Sequence, residues 1–161
     1  MVLIKVGEYE IREATVDDIW EAIKINEKTL PEHYTYEFYL DIYRNFSEGF
    51  LIAWLNGNAV GYIMNRIERG LSNFGFTLVK MGHVVSIAVL PEHRRKGIGT
   101  ALLTTSLERM KNRGCEEAYL EVRVGNEEAI RLYEKLNFVK VRVIRFYYSD
   151  GEDAYVMARK L

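Results

Sequence analysis

The segment from Gly82 to Leu90 reads Gly-His-Val-Val-Ser-Ile-Ala-Val-Leu, a nearly unbroken apolar run rich in β-branched residues. Such a run predicts a strand covered on both faces, since a strand with one wet face alternates apolar and polar residues. A strand of that kind needs a sheet around it and further layers over the sheet. The chain has 161 residues, enough for one domain that buries roughly 70% of the surface its unfolded state exposes. No linker, charge block or internal repeat divides it, so a single domain over residues 1–161 is expected.

The rest of the pattern is α/β. Tyr9 to Ala14 reads as a short strand. Thr15 ahead of Asp17 and Asp18 marks a helix start, because a hydroxyl cap and early carboxylates satisfy free amides there. Ile19, Ala22, Ile23 and Asn26 follow at helical spacing to about Lys28, and Leu30-Pro31 breaks the helix. A second helix is expected from about Tyr36 to Phe46. Phe50 to Leu55 and Ala59 to Ile67 flank the hairpin signal Asn56-Gly57, and Gly70 to Val79 reads as a loop. Ile98, Leu102, Leu103, Leu107 and Met110 predict a helix that ends at Gly114. Ala118 to Val124 is a strand, and Asn126 caps a helix carrying Ala129, Ile130, Tyr133 and Leu136. Phe138 to Tyr147 and Asp153 to Lys160 form a closing hairpin around Ser149-Asp150-Gly151. The predicted order is β-α-α-β-β-β-α-β-α-β-β, a mixed central sheet with helices on both faces.

Charge narrows the function. Lys+Arg is 22 and Asp+Glu is 23, a net charge of -1, which argues against a nucleic-acid partner, since such surfaces are basic. No apolar run approaches the ~18–20 residues of a membrane-spanning helix, and Met1 to Glu10 alternates apolar and polar residues, unlike a signal peptide. No membrane partner is expected. The single Cys115 cannot form an internal disulfide, which fits a reducing, cytoplasmic compartment. His33, His83, His93 and Cys115 have no metal-ligand spacing, so no metal is expected.

The most informative segment follows the buried strand. Val89-Leu-Pro-Glu-His-Arg-Arg-Lys-Gly-Ile-Gly-Thr100 runs from that strand through three consecutive cations and two glycines into a helix. A turn of this kind aims free amides outward from a positive helix end, which makes an anion site. Gly97 and Gly99 let the backbone approach a ligand without a Cβ in the way. The Walker pattern and the G-x-G-x-x-G dinucleotide fingerprint are both absent. Read from the residues alone, the cations equally describe a solvated loop.

Arg94-Arg-Lys-Gly-Ile-Gly-Thr100 resembles the R/Q-x-x-G-x-G/A pyrophosphate loop of the GNAT acetyltransferases. Asn126-Glu-Glu-Ala-Ile-Arg-Leu-Tyr133-Glu-Lys-Leu-Asn-Phe138 resembles their second coenzyme-A motif, N-x-x-A-x-x-x-Y-x-x-x-G-F. The order of elements is also that family's, and the similarity covers essentially the whole chain. Asn137 stands where the family has Gly, and Asn is the next-best residue for a left-handed position after a helix. Leu30-Pro31-Glu32-His33-Tyr34 and Tyr147-Tyr148 through Tyr155 resemble the substrate loops of protein N-terminal acetyltransferases, closest to archaeal enzymes of the Ard1/RimI type.

The resemblance implies an acetyl-CoA-dependent enzyme. The pyrophosphate would lie against Arg94, Arg95, Lys96, Gly97, Ile98, Gly99 and Thr100, and the pantetheine along Ile87, Ala88 and Val89. An amide of that strand would polarise the thioester carbonyl. Asn126, within the motif that also carries Ala129, would contact the pantetheine or an ordered water, and Tyr133 would protonate or hydrogen-bond the departing thiolate. His83 and Glu121 match positions where such enzymes put the groups that take the amine's proton. Glu32 would orient or deprotonate the amine. Leu30, Pro31, Glu32, Tyr34, Tyr147 and Tyr148 would wall the first two peptide residues, with acidic Asp150, Glu152 and Asp153 near an arriving ammonium. Without the resemblance, Tyr133 reads as a core aromatic and Glu121 as a solvent-facing carboxylate.

The expected reaction is direct attack by a protein α-amine through a ternary complex, because Cys115 matches no nucleophile position. An α-amine has a pKa of ~7.7–8.0, so ~10–20% is already neutral near pH 7, against ~0.04% of a lysine at ~10.4. A modest base therefore suffices. The alternatives are acetylation of a specific ribosomal protein or a small amine, and a non-catalytic acyl-CoA-binding module. An auxiliary subunit and a homodimer both remain open at this level.

Overall fold

The computed structural model describes every residue from Met1 to Leu161. Its strands and α-helices, in chain order, are β1 (Val2–Val6), β2 (Tyr9–Glu13), α1 (Ile19–Thr29), α2 (Tyr36–Asn45), β3 (Leu51–Leu55), β4 (Asn58–Leu71), β5 (Leu78–Val89), α3 (Ile98–Asn112), β6 (Glu117–Arg123), α4 (Glu127–Lys135), β7 (Val139–Ile144) and β8 (Ala154–Lys160). The strands form one eight-stranded sheet ordered β1-β2-β3-β4-β5-β6-β8-β7. Pairing is parallel between β5 and β6 and antiparallel at β1/β2, β2/β3, β3/β4, β6/β8 and β7/β8. The α/β class and mixed sheet expected from sequence are present.

Two differences from expectation concern length. The sequence reading starts the sheet at Tyr9, whereas the chain adds β1 ahead of it, paired with β2 across a turn at Gly7 (φ 58°). Three half-buried and two exposed residues beside a Gly-Glu turn carry too little signal to distinguish an edge strand from a polar tail. The loop expected over Gly70–Val79 shrinks to residues 72–77, because β4 and β5 extend toward it and Ser72 N donates to Thr77 O at 2.9 Å.

Packing divides the chain into two compact units, Met1–Arg66 with Val85–Arg109 and Ile67–Val84 with Met110–Leu161. In the first, Ile19, Ala22 and Ile25 of α1 and Tyr39 and Ile42 of α2 pack with Phe50, Ile52, Tyr62, Met64 and Ala88. The 3-10 turn Val16–Asp18 that leads into α1 follows the predicted chemistry. Thr15 Oγ1 accepts from Asp18 N, and Thr15 N donates to Asp18 Oδ2 at 2.9 Å, a reciprocal cap. In the second unit β6 alternates buried Ala118, Leu120 and Val122 with half-buried Tyr119, Glu121 and Arg123. Burying Leu120 and Val122 stabilises the sheet by roughly 1.5–3 kcal/mol each. The intervening polar residues are left together on the other face.

Helix α4 ends as its sequence predicts. Asn137 takes φ 68°, and Phe138 N donates to Tyr133 O at 3.0 Å, closing the last turn. Asn137→Gly is expected to raise stability slightly and Asn137→Val to lower it by about 1–2 kcal/mol, the left-handed penalty of a β-branched residue. Thermal unfolding of the two variants measures this; equal midpoints would show that the turn is unstrained.

Candidate active site

Parallel pairing between β5 and β6 covers only Met81↔Glu117, Gly82↔Ala118 and His83↔Tyr119. Beyond His83, β5 continues to Val89 without a β6 partner. His83 stands at that end point. Its Nδ1 lies 3.0 Å from Glu68 Oε2 and its Nε2 2.7 Å from Glu121 Oε1. Tyr119 stacks on the imidazole, with ring centroids 4.2 Å apart and planes within 8°, and donates to Glu68 Oε1 at 2.5 Å. The imidazole side chain is only 11% exposed. The expected pair of His83 and Glu121 is therefore in direct contact. Glu68 was missed by sequence reasoning: it lies near the far end of a long strand, in an Arg-Ile-Glu-Arg stretch that looks like ordinary surface.

Donor accounting fixes the charge of this group. Carboxylates only accept, so with both ionised each imidazole nitrogen must carry a proton. Burial by itself pushes the imidazole pKa down, but the hydrogen bonds and charges of Glu121 and Glu68 outweigh it, and the net shift is upward. The two carboxylates thus favour the imidazolium form of His83.

In the other unit, the turn after β5 has the geometry of an anion cradle. A short 3-10 turn covers Pro91–His93, Arg95 and Gly97 take φ 61° and 84°, and α3 follows at Ile98. Ala101 N donates to Gly97 O at 3.0 Å, the first bond of the helix. The amides of Ile98, Gly99 and Thr100 precede it and have no carbonyl within the helix to pair with. A Cβ on Gly97 would approach only Val6 Cγ1, at 3.6 Å, so the turn has room on its open side. Arg95 and Lys96 are exposed. Arg94 differs from a phosphate-reaching side chain, because its Nε donates to Val89 O at 2.9 Å and ties the turn to the end of β5. Behind the turn, the Tyr9 hydroxyl lies 2.8 Å from His93 Nδ1.

The remaining expected residues fall in two loops and on α4. Leu30, Pro31, Glu32 and Tyr34 lie between α1 and α2, where Tyr34 stacks on Phe38 with centroids 4.7 Å apart. Tyr147 and Tyr148 lie between β7 and β8 and meet edge to face at 4.9 Å. Arg123 organises that second loop. Its guanidinium sits 4.0 Å from the Tyr148 ring centroid and donates to Asp150 Oδ2 at 2.8 Å and Glu152 Oε1 at 2.9 Å. Glu152 Oε2 also accepts from Gly125 N, and Asp153 Oδ1 from Phe146 N. These three carboxylates hold the loop instead of standing ready for an ammonium, because Arg123 of β6 takes Asp150 and Glu152 and a backbone amide takes Asp153.

On α4, Asn126 Oδ1 caps the helix by accepting from Ala129 N at 3.2 Å, so only its Nδ2 faces outward chemistry. Burial of Tyr133 pushes its hydroxyl pKa up to about 12. Burial likewise pushes the Cys115 thiol up, the opposite of an activated nucleophile.

Because His83 has a raised native pKa, its charge stabilises the fold fully below the free value near 6.5, and this contribution is lost as pH rises through the native value. Glu68→Gln and Glu121→Gln are each expected to lower the native value. NMR titration of the His83 ring tests this, and a titration unmoved by either change would rule out the two-carboxylate clamp.

The acetyltransferase (GNAT) family model matches residues 14–138. Among curated relatives, an "N-alpha-acetyltransferase" of Saccharolobus solfataricus is 55% identical over 157 residues, covering 96% of this chain and 94% of the relative. The "N-terminal acetyltransferase A complex catalytic subunit NAA10" of Arabidopsis thaliana is 34% identical, covering 94% of this chain and 77% of the relative. Among solved structures, Ard1 from Thermoplasma volcanium superposes with a TM-score of 0.83 at 33% identity, covering 96% of this chain and 98% of that one. With glycine turn, capped second motif and sheet all accounted for, the chain belongs to the GNAT family of acetyltransferases.

Proposed function

We propose that this protein transfers acetyl from acetyl-CoA to the α-amine of protein N-termini by direct attack of the amine on the thioester. The observation that carries the reading is the Glu68–His83–Glu121 group, a proton-handling centre at the point where β5 loses its β6 partner. The relatives named for Nα-acetylation support the same substrate class.

Acetyl-CoA supplies an acyl group already activated as a thioester. The free first-turn amides of α3, with Arg95 and Lys96, take its pyrophosphate, and Arg94 fixes the turn against β5. The unpaired backbone edge at Ile87, Ala88 and Val89 pairs with the pantetheine and polarises the acyl carbonyl. Asn126 offers its Nδ2 to the same ligand, and Ala129 leaves space beside it. An α-amine gives up its proton to the Glu121 carboxylate, which the doubly protonated His83 ring holds in place. Glu68 keeps the imidazole oriented while the proton is accepted. Glu32 orients the amine, with Leu30, Pro31 and Tyr34 beside it in the chain as walls for the peptide; Tyr147 and Tyr148 are proposed as further walls.

Tyr133 has a defined part. A hydroxyl ionising near 12 holds its proton against a thiolate whose own pKa is ~8.5. It therefore stabilises the leaving group as a hydrogen-bond donor more than as an acid. A cytoplasmic setting belongs to this proposal; no helix is long and apolar enough to cross a membrane.

The test is incubation with acetyl-CoA and peptides varied at residues one and two, read by intact mass. Acetylation confined to α-amines is expected, and a rise in melting temperature with acetyl-CoA but no turnover would favour a binding module. Glu121→Ala and Tyr133→Phe should each lower kcat by about 10²-fold or more while leaving acetyl-CoA affinity nearly unchanged. Full turnover in both variants would refute the assigned roles. Arg95→Ala should instead weaken acetyl-CoA binding with little change in kcat.

A further inference from the structure

Asn26 lies in the last turn of α1 and is 1% exposed. Burying a carboxamide is costly unless its polar atoms are paired. Its Nδ2 donates to Glu32 O at 3.0 Å and to Tyr62 Oη at 3.2 Å. Turning the amide over would face its oxygen toward the Glu32 carbonyl oxygen, acceptor against acceptor, so the partner dictates the orientation. Both Nδ2 protons are thereby used. Tyr62 Oη, accepting from Asn26, also shares a hydrogen bond with Ser86 Oγ at 2.5 Å. Tyr62 is fully buried and Ser86 is 8% exposed.

The result is a continuous polar chain running from the backbone of Glu32 through Asn26 and Tyr62 to Ser86. One end is a carbonyl in the loop between α1 and α2. The other lies on β5, adjacent to Ile87 in sequence. Two further bonds stiffen the loop near its start: Leu30 N donates to Asn26 O at 2.9 Å, and His33 Nε2 lies 2.8 Å from Leu30 O. A network serving only core packing would close among core residues. This one spends its central donor on a loop carbonyl.

We infer that Asn26 is the positioning residue of the peptide-binding loop, setting Pro31 and Glu32 at a fixed place relative to β5 through Tyr62 and Ser86. The inference rests on the proposed reading that this loop receives the peptide. Asn26 touches no reacting atom; it acts through the loop carbonyl it holds.

The test is steady-state kinetics with each substrate varied in turn. Asn26→Ala is expected to raise the KM for peptide by about fivefold, the size of one lost hydrogen bond, with the KM for acetyl-CoA and kcat unchanged. Tyr62→Phe keeps the bond to Glu32 but removes the link to β5, and should raise peptide KM by about twofold. Amide hydrogen exchange across residues 30–34 should quicken in Asn26→Ala and remain slow in an Asn58→Ala control on the β3–β4 hairpin. An unchanged peptide KM in folded Asn26→Ala, or equal rises in both KM values, would overturn the inference. If Asn26→Ala does not fold, an unchanged peptide KM in Tyr62→Phe overturns it. Absence of peptide turnover in the unaltered protein is a different outcome: it removes the proposed activity, while the exchange rates still decide whether Asn26 holds the loop.

Discussion

The parallel pairing of β5 with β6 stops at His83↔Tyr119, although β5 runs on to Val89. Backbone N–H and C=O groups in a sheet interior require partners, and a strand that gives them up on one side must gain something in return. Here the strand keeps its neighbour β4 and leaves its other edge without a β6 partner. The turn that follows inherits its position from that edge, since Arg94 is tied to the last carbonyl of β5. His83 thus stands where one ladder of hydrogen bonds ends, and the glycine turn where the strand itself ends.

Polar residues on β6 extend the same logic. Alternation sends Tyr119, Glu121 and Arg123 to one face, opposite the buried Ala118, Leu120 and Val122. Tyr119 stacks on His83 and bonds Glu68, Glu121 bonds His83, and Arg123 gathers the loop that holds Tyr148. One strand thus supplies successively a stacking partner for His83, a carboxylate bonded to it, and the anchor of a loop. The spacing between these tasks is set by the period of two along a strand, not by loop conformation.

Legibility followed the range of the interactions. Thr15, Asn126 and Asn137 act within a few residues of themselves, and their caps and turns are written in local sequence. The glycine turn was equally clear because glycines, cations and a helix start lie together. The contact of His83 with Glu121 was reached through family resemblance, and their half-buried chemistry would otherwise read as surface. Glu68 had no such aid: a carboxylate in an Arg-rich strand gives no sign that its strand will bring it to a histidine fifteen residues away. Asp150, Glu152 and Asp153 were misread for the same reason, since what neutralises two of them is an Arg on another strand.

The Tyr9–His93 bond joins residues 84 positions apart. Closing a loop of that length costs entropy before the contact returns any stabilisation. The glycine turn therefore has its full support only when the opening hairpin is docked against it. A ligand that needs the finished turn binds the native chain and not its partly folded forms. Acetyl-CoA would then act on the protein's lifetime as well as on its chemistry, drawing the folding equilibrium toward the completed structure by mass action alone.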